Sequence, residues 1–248
     1  TTGVNNTFLG ARAGDAFTDA DRNTALGRSA LTTDTLGSRS VAVGYGVLQN
    51  QNFTTATNTY NVAVGYDAGA SVTTGVQNTF LGALAGDAIT DADLNVALGY
   101  LALSSNTVGS KSVAVGSAAL KAQNPSTATD MYNVAVGHQA GLSVTTGTAS
   151  TFIGALAGDA ITSGINNTAV GAFALSADTL GKFSVAVGNG ALERQNFTTS
   201  TNAYNTAVGY DAGSQVTTGQ GNTFLGGLAG NSSTGSGVEN NTFIGFQA

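Results

Sequence analysis

The sequence predicts an all-β parallel β-solenoid of about 14 coils. Three observations carry that expectation: a motif that recurs along the whole chain, spacings that take almost only two values, and a composition poor in bulky core residues. The motif reads Asn/Ser-x-Ala/Phe-Val/Leu-Gly-x-x-Ala-Gly/Leu. Its glycine stands at Gly10, Gly27, Gly44, Gly65, Gly82, Gly99, Gly116, Gly137, Gly154, Gly171, Gly188, Gly209, Gly226 and Gly245. Successive glycines are thus spaced by either 17 or 21, save for the last pair, Gly226 and Gly245. Three short units and one long one form a superrepeat, with Gly10, Gly82, Gly154 and Gly226 as corresponding points. Copies so regularly spaced read as coils, each covering the open edges of its neighbours.

Within a unit, about five residues ending at the motif glycine form a strand, and the glycine makes a tight bend. A second short strand begins near the motif alanine, and a polar return such as "SVTTG" or "DAITDAD" closes the coil. Helix is excluded because Gly, Thr, Asn and β-branched residues interrupt any 3.6-residue stripe. At ~4.8 Å between strands, 14 coils would make a rod of roughly 65–70 Å. The residues are read as one repeat domain, 1–248, with superrepeats near 1–72, 73–144, 145–216 and a partial 217–248. The opening "TTG" and closing "NTFIGFQA" give the look of a fragment of a longer array.

Composition narrows the partners. The 248 residues are 42% hydrophobic, mostly Ala and Val, and only 9% charged, with 35 Gly, one Pro and neither Cys nor Trp. Small side chains must pack as a regular lattice in place of a conventional core. A net charge of −6 opposes binding to nucleic acid or anionic membranes. No apolar run approaches the ~20 residues that cross a bilayer, and residues 1–20 lack the regions of a signal peptide. Disulfides and thiolate metal sites are excluded.

The two positions that flank the centre of each strand, such as Thr7 and Leu9 or Val41 and Val43, share one apolar face. The central position points the other way and is also apolar: Phe8, Ala25, Ala42, Ala63, Phe80, then Phe152 and Phe224 in the phase of Phe8. Both faces are expected to be hidden, the outer one by sister chains. Alanine stands three residues after the motif glycine in every unit but one, where Val47 replaces it, which implies a tight site.

The strings "SVAVGYGVL", "SVAVGSAAL" and "NVAVGYDAG" resemble the head repeats of YadA-type trimeric autotransporter adhesins. That resemblance implies a left-handed parallel β-roll and a homotrimer. "NTFLGALAG" and "NTAVGAFAL" joined by "TTG" are similar to the repeats that precede the chaperone domain of phage tail fibres. Both families stay open, and the 17- and 21-residue units exceed the usual adhesin repeat.

Candidate sites are few. Asp19, Asp21 and Asn23, and likewise Asp91, Asp93 and Asn95, space oxygen ligands at every second residue as a calcium loop does, but without its Gly and Glu; solvated turns are the preferred account. The long units carry "QNQNFTTATNTY", "KAQNPSTATDMY" and "ERQNFTTSTNAY", expected to protrude once per superrepeat. Their Phe53, Tyr60, Tyr132, Phe197 and Tyr204 offer flat apolar surface for sugars, or clamp the loop or meet a sister chain. Asn61, Asn78, Asn95, Asn133 and Asn205 suggest amide ladders. The Thr pairs of "TTG" are too sparse to lead towards ice binding. His138, the only histidine, reads as a surface substitution.

The expected function is an extracellular structural fibre or adhesin segment, on a cell or virion surface, that gives reach, stiffness and multivalent attachment. It is expected to be no enzyme and to need no cofactor. Its expected partners are sister chains in a homotrimer, end-to-end or lateral neighbours, and a cell-surface glycan or matrix protein. A tail-fibre or tailspike segment that binds, or less readily cleaves, host polysaccharide is the alternative, followed by an ice- or calcium-binding solenoid.

Overall fold

The computed structural model describes residues 2–232 and 238–248. The chain is a parallel β-solenoid of about 14 turns, with no helix among the described residues. Its contacts divide into two compact units, Thr1–Ala118 with Asn124–Asp130, and Ala119–Gln123 with Met131–Ala248. The first stacks Thr7–Leu9, Thr24–Leu26, Val41–Val43, Val62–Val64, Thr79–Leu81, Val96–Leu98 and Val113–Val115. The second stacks Val134–Val136, Thr151–Ile153, Thr168–Val170, Val185–Val187, Thr206–Val208, Thr223–Leu225 and Thr242–Ile244. Within each unit successive strands pair in parallel with like positions aligned, as Phe80 with Ala97 and Phe152 with Ala169.

The strands are shorter than the repeat suggests, three residues in place of five, and the expected second strand after the motif glycine is a run of turns. The reason is alternating backbone handedness. Phe173 and Leu175, two and four residues after Gly171, have φ of 58° and 54°. Phe173 N–H donates to the Ala155 carbonyl of the coil before (3.1 Å), and Leu175 N–H to the Ala191 carbonyl of the coil after (3.0 Å). Alternate residues thus bond to opposite neighbours while the chain curls. A left-handed non-glycine residue costs roughly 1–2 kcal/mol, which the bonds between coils and the burial of Leu175 offset.

Two inward columns make the core. The central strand residues Ala25, Ala42, Ala63 and Ala97 and the motif alanines Ala30, Ala68, Ala85 and Ala102 are fully buried. The residue four after the motif glycine adjusts to them: Leu31, Leu48, Leu103, Leu120, Leu175 and Leu192 fill the space above small neighbours and are fully buried. Where the strand carries Phe80, that position is Gly86, and it is Gly69 in the coil before. A Cβ on Gly69 would lie 2.7 Å from the Phe80 ring, and one on Gly86 would lie 2.5 Å from it. Phe152 and Phe224 have the same relation to Gly141 and Gly213. Through Phe224 one such ring recurs every four coils, and the paired glycines give the superrepeat a packing cause; Phe243 departs from it, stacking on Phe224 from the next coil at 5.3 Å. Phe8, in the first strand, is 41% exposed and stacks on Phe17 at 5.2 Å.

Of the two strand faces, the single chain itself hides the inner one alone. The central residues are buried, but the outward pairs are not covered: Leu81 is 48% exposed, Leu225 47% and Val62 38%. The coil is too narrow to wrap its own outer face.

Below the strands runs a polar ladder, formed by the residue four before each motif glycine. Asn78 N–H donates to Asn61 Oδ1 at 2.9 Å, Asn78 Nδ2 to the Ala92 carbonyl at 2.8 Å, and Asn95 N–H to Asn78 Oδ1 at 2.9 Å. Asn167 bonds through Ser150 Oγ in the same way. The ladder thus runs chiefly from side chain to main chain rather than amide to amide, and it satisfies carbonyls and amides that water cannot reach. Asn78→Ala leaves two buried main-chain groups unpaired, so we expect a loss of about 3 kcal/mol in urea unfolding, with Asn78→Ser losing less.

The motif glycines stack over one another. At Gly154, φ is 130° and a Cβ would sit 2.6 Å from the carbonyl of Gly171. No L-residue relieves both conditions. Gly154→Ala should lower stability by roughly 3 kcal/mol or more, whereas Gly227→Ala, with nothing nearer than 3.7 Å, should change it by less than about 0.5 kcal/mol. Thermal melts of the two variants test the assignment; equal melting temperatures would contradict it.

Candidate functional site

The long coils hold the surface features that recur once per superrepeat, and a buried polar group anchors them. Asp34 Oδ1 accepts the N–H of Gly37 (2.9 Å) and of Phe53 (3.3 Å), and Oδ2 accepts Gln51 Nε2 at 2.6 Å. Gln51 Nε2 also reaches Ser40 Oγ at 3.0 Å, while Gln51 Oε1 accepts Asn61 Nδ2 at 2.9 Å. Asp178, Gln195, Ser184 and Asn205 repeat this arrangement. In the middle superrepeat Asn106 stands at that place and bonds Gly109 through both of its side-chain atoms. Short parallel pairs, Gly37–Ser38 with Thr57–Asn58, Gly109–Ser110 with Thr129–Asp130 and Gly181–Lys182 with Thr201–Asn202, close each loop.

The loop aromatics divide by position. Phe53 and Phe197 are buried, at 6% and 4% exposure, and Pro125 takes their place in the middle loop. They clamp the loop, so the expected stacking platform does not include them. Tyr60, Tyr132 and Tyr204 are exposed. The Arg39 guanidinium lies over Tyr60, 5.4 Å from its centroid, and donates to its hydroxyl; Phe183 stacks on Tyr204 at 5.3 Å. The loop tips are small and hydroxyl-rich: Thr54, Thr55 and Ala56; Ser126, Thr127 and Ala128; Thr198, Thr199 and Ser200. Thr57, Thr129 and Thr201 hydroxyls bond back to the tips at 3.0, 2.8 and 3.0 Å.

A second aromatic row follows the motif glycines, with Tyr45, Tyr66, Tyr100 and Tyr210 exposed and His138 among them. Tyr45 and Tyr66 stack at 5.4 Å, with Arg28 over Tyr45. The neighbouring Asp67 and Asp211 carboxylates hold the Tyr66 and Tyr210 phenols protonated above their ordinary range.

The calcium-type series separates across the two sides of the chain. Asp21 Oδ1 accepts Val4 N–H and Asp93 Oδ1 accepts Val76 N–H, both at 2.7 Å, while Asp19 and Asp91 accept threonine hydroxyls. Asn23 and Asn95 are buried in the polar ladder. Among the described residues no three His, Cys, Asp or Glu side chains are placed to share a metal ion. The threonines of "TTG" belong to a fuller column than the motif suggests: Thr73, Thr90 and Thr107 follow one another, and their hydroxyls bond onward to the Thr90 carbonyl, the Thr107 carbonyl and Asn124 Oδ1.

The Asp34–Gln51 and Asp178–Gln195 groups were missed in the sequence, although the signal is there: an Asp or Asn seven positions after a motif glycine, and a Gln one short coil later, directly before each long loop. Two further carboxyl oxygens, Asp87 Oδ1 and Asp159 Oδ1, are buried without a partner. The third copy explains why. Asn231 accepts Ser214 Oγ at 2.9 Å, whereas Ala70 and Leu142 stand at the place of Ser214 and offer no hydroxyl.

Burial pushes the Asp34 and Asp178 carboxyls above their ordinary range, against the opposing effect of the bonds from Gln51 and Gln195. A carboxyl raised in the folded state favours folding fully below its unfolded value, 3.8, and that contribution is lost as pH rises through the folded value. Asp34→Asn with Asp178→Asn, which reproduces the residue found at Asn106, should therefore melt higher than wild type at pH 7. The gap should close towards pH 4 and below; a pH-independent difference in thermal melts would contradict the electrostatic cause.

Comparison with known proteins finds no family model, no curated protein and no solved structure that matches the chain.

Proposed function

We propose that the chain is a segment of an extracellular structural fibre or adhesin that works as a homotrimer, holding hydroxyl-rich loops at regular intervals for multivalent surface contact. One observation carries the reading: each unit exposes a largely apolar strand face, in which Leu81, Ile153, Val208 and Leu225 recur at equivalent positions with threonines such as Thr79 and Thr151 between them. Exposed contiguous apolar surface of this kind marks an interaction site, and a soluble chain that left it open would aggregate. Three copies facing one axis cover it and leave the loop tips outside. The similarity of "SVAVGYGVL" to adhesin head repeats supports the same assembly.

The loops supply the contact role. Their bases are rigid, their tips are small and polar, and they recur once per superrepeat, so weak contacts to a glycan or matrix surface add through avidity. A native mass of three chains is expected. Leu81→Glu should lower that mass to a single chain with an unchanged β spectrum, because the site is already wet in the monomer. Variants with the tips 54–56, 126–128 and 198–200 replaced by glycine, which leave the buried Phe53 and Phe197 in place, should keep the native mass and lose binding to cell or glycan surfaces. Retained binding would overturn the attachment role, and a single-chain native mass of the wild type would overturn the assembly.

A further inference from the structure

We infer that the outward strand face is a seam between parallel copies of this chain at which ring side chains meet, Tyr60 of one copy against Tyr66 of the next and Tyr204 against Tyr210. The inference rests on the trimeric reading above and adds how neighbouring copies touch. The occupant of the face follows from its periodicity. A second copy of this chain repeats as three short coils and one long one in step with the face, so each coil can meet an equivalent one.

The contact follows from symmetry. Copies related by rotation about an axis along the stack keep each coil at the same height, so the leading flank of one strand meets the trailing flank of the same strand in the next copy. The flanks are the residue five before the motif glycine and the residue one after it. Only the coils with a long loop carry a ring on both: Tyr60 and Tyr66, Tyr132 and His138, Tyr204 and Tyr210. These rings are all exposed, with Tyr60 45% and Tyr210 60% accessible, so the single chain does not use them as core.

The same rings are held in place before any partner arrives. Tyr60 lies under Arg39, Tyr204 against Phe183 and Tyr66 against Tyr45. Fixed rings lose little freedom on docking, and aromatic pairs at about 4.5–7 Å between centroids gain beyond their area. Charge on the two flanks is mixed, with Arg39 beside Tyr60 and both Arg28 and Asp67 beside the Tyr45–Tyr66 pair, so the ring contacts carry the pairing.

The chain contains no cysteine, so introduced thiols report the contact without background. Tyr60→Cys combined with Tyr66→Cys, treated with a short bismaleimide, should give a covalent three-chain product on denaturing gels, whereas either single variant should give none. Tyr204→Cys with Tyr210→Cys should behave alike and guards against a local failure of the first pair. Native mass is measured on the same samples. A three-chain native mass without the three-chain product from either pair overturns the ring contact and leaves the assembly standing; a one-chain native mass overturns both. A two-chain product from a single variant means that like flanks meet, and overturns the rotational seam.

Discussion

The fold depends on one close approach: motif glycines lie so near the next coil that the neighbour's carbonyl occupies the place of a side chain, as at Gly154 over Gly171 and Gly82 over Gly99. The approach sets how far apart coils sit and which residues pair, because a slip by one residue would bring a Cβ into that space. From it follow the in-register strands, the inward alanines and the bonded turns beyond the glycine. There, Phe173 and Leu175 bond to opposite neighbours, so nearly every amide in the turn has a partner although no strand is present.

Above this single-coil constraint lies a four-coil one. At the centre of the strand Phe80, Phe152 and Phe224 enter the narrow core where two glycines clear space for each ring, and the polar Asp34–Gln51 pair enters where a long loop needs anchoring. The core therefore alternates between apolar and polar layers along the stack. Stability and surface display are coupled through this alternation. The coil that pays for buried polar groups is the one that presents a loop tip and two exposed rings, so features for contact recur at the period that packing imposes.

The buried carboxyls show how duplication leaves imperfect copies. Asn106 and Asp34 occupy one place with different bonding, and Asp87 lacks the hydroxyl that Ser214 supplies to Asn231. Such differences give the chain its own internal controls, since the backbone around each pair is the same.

Much of the architecture was legible in the residues. The two glycine spacings gave the coil count, the parallel stacking and the phase of the long loops, because a repeat of that length can bury its edges only against another copy of itself. The strand and its central residue were readable too, since a period of two in a five-residue window places Ala25 and Ala42 opposite Leu26 and Val43. The candidate site was legible in location alone. Phe53 and Tyr60 look alike as loop aromatics, and only the fold buries the first while exposing the second, since burial depends on which residue faces Asp34 across the coil. The turn after the glycine was likewise undecidable: leucine, glutamine and glycine all occur at its left-handed positions, and propensity alone forbids what bonding between coils enforces. Sequence determined the period and the residue types that fill it; tertiary structure decided which apolar face went inside, because only one side of a coil this narrow can close on itself.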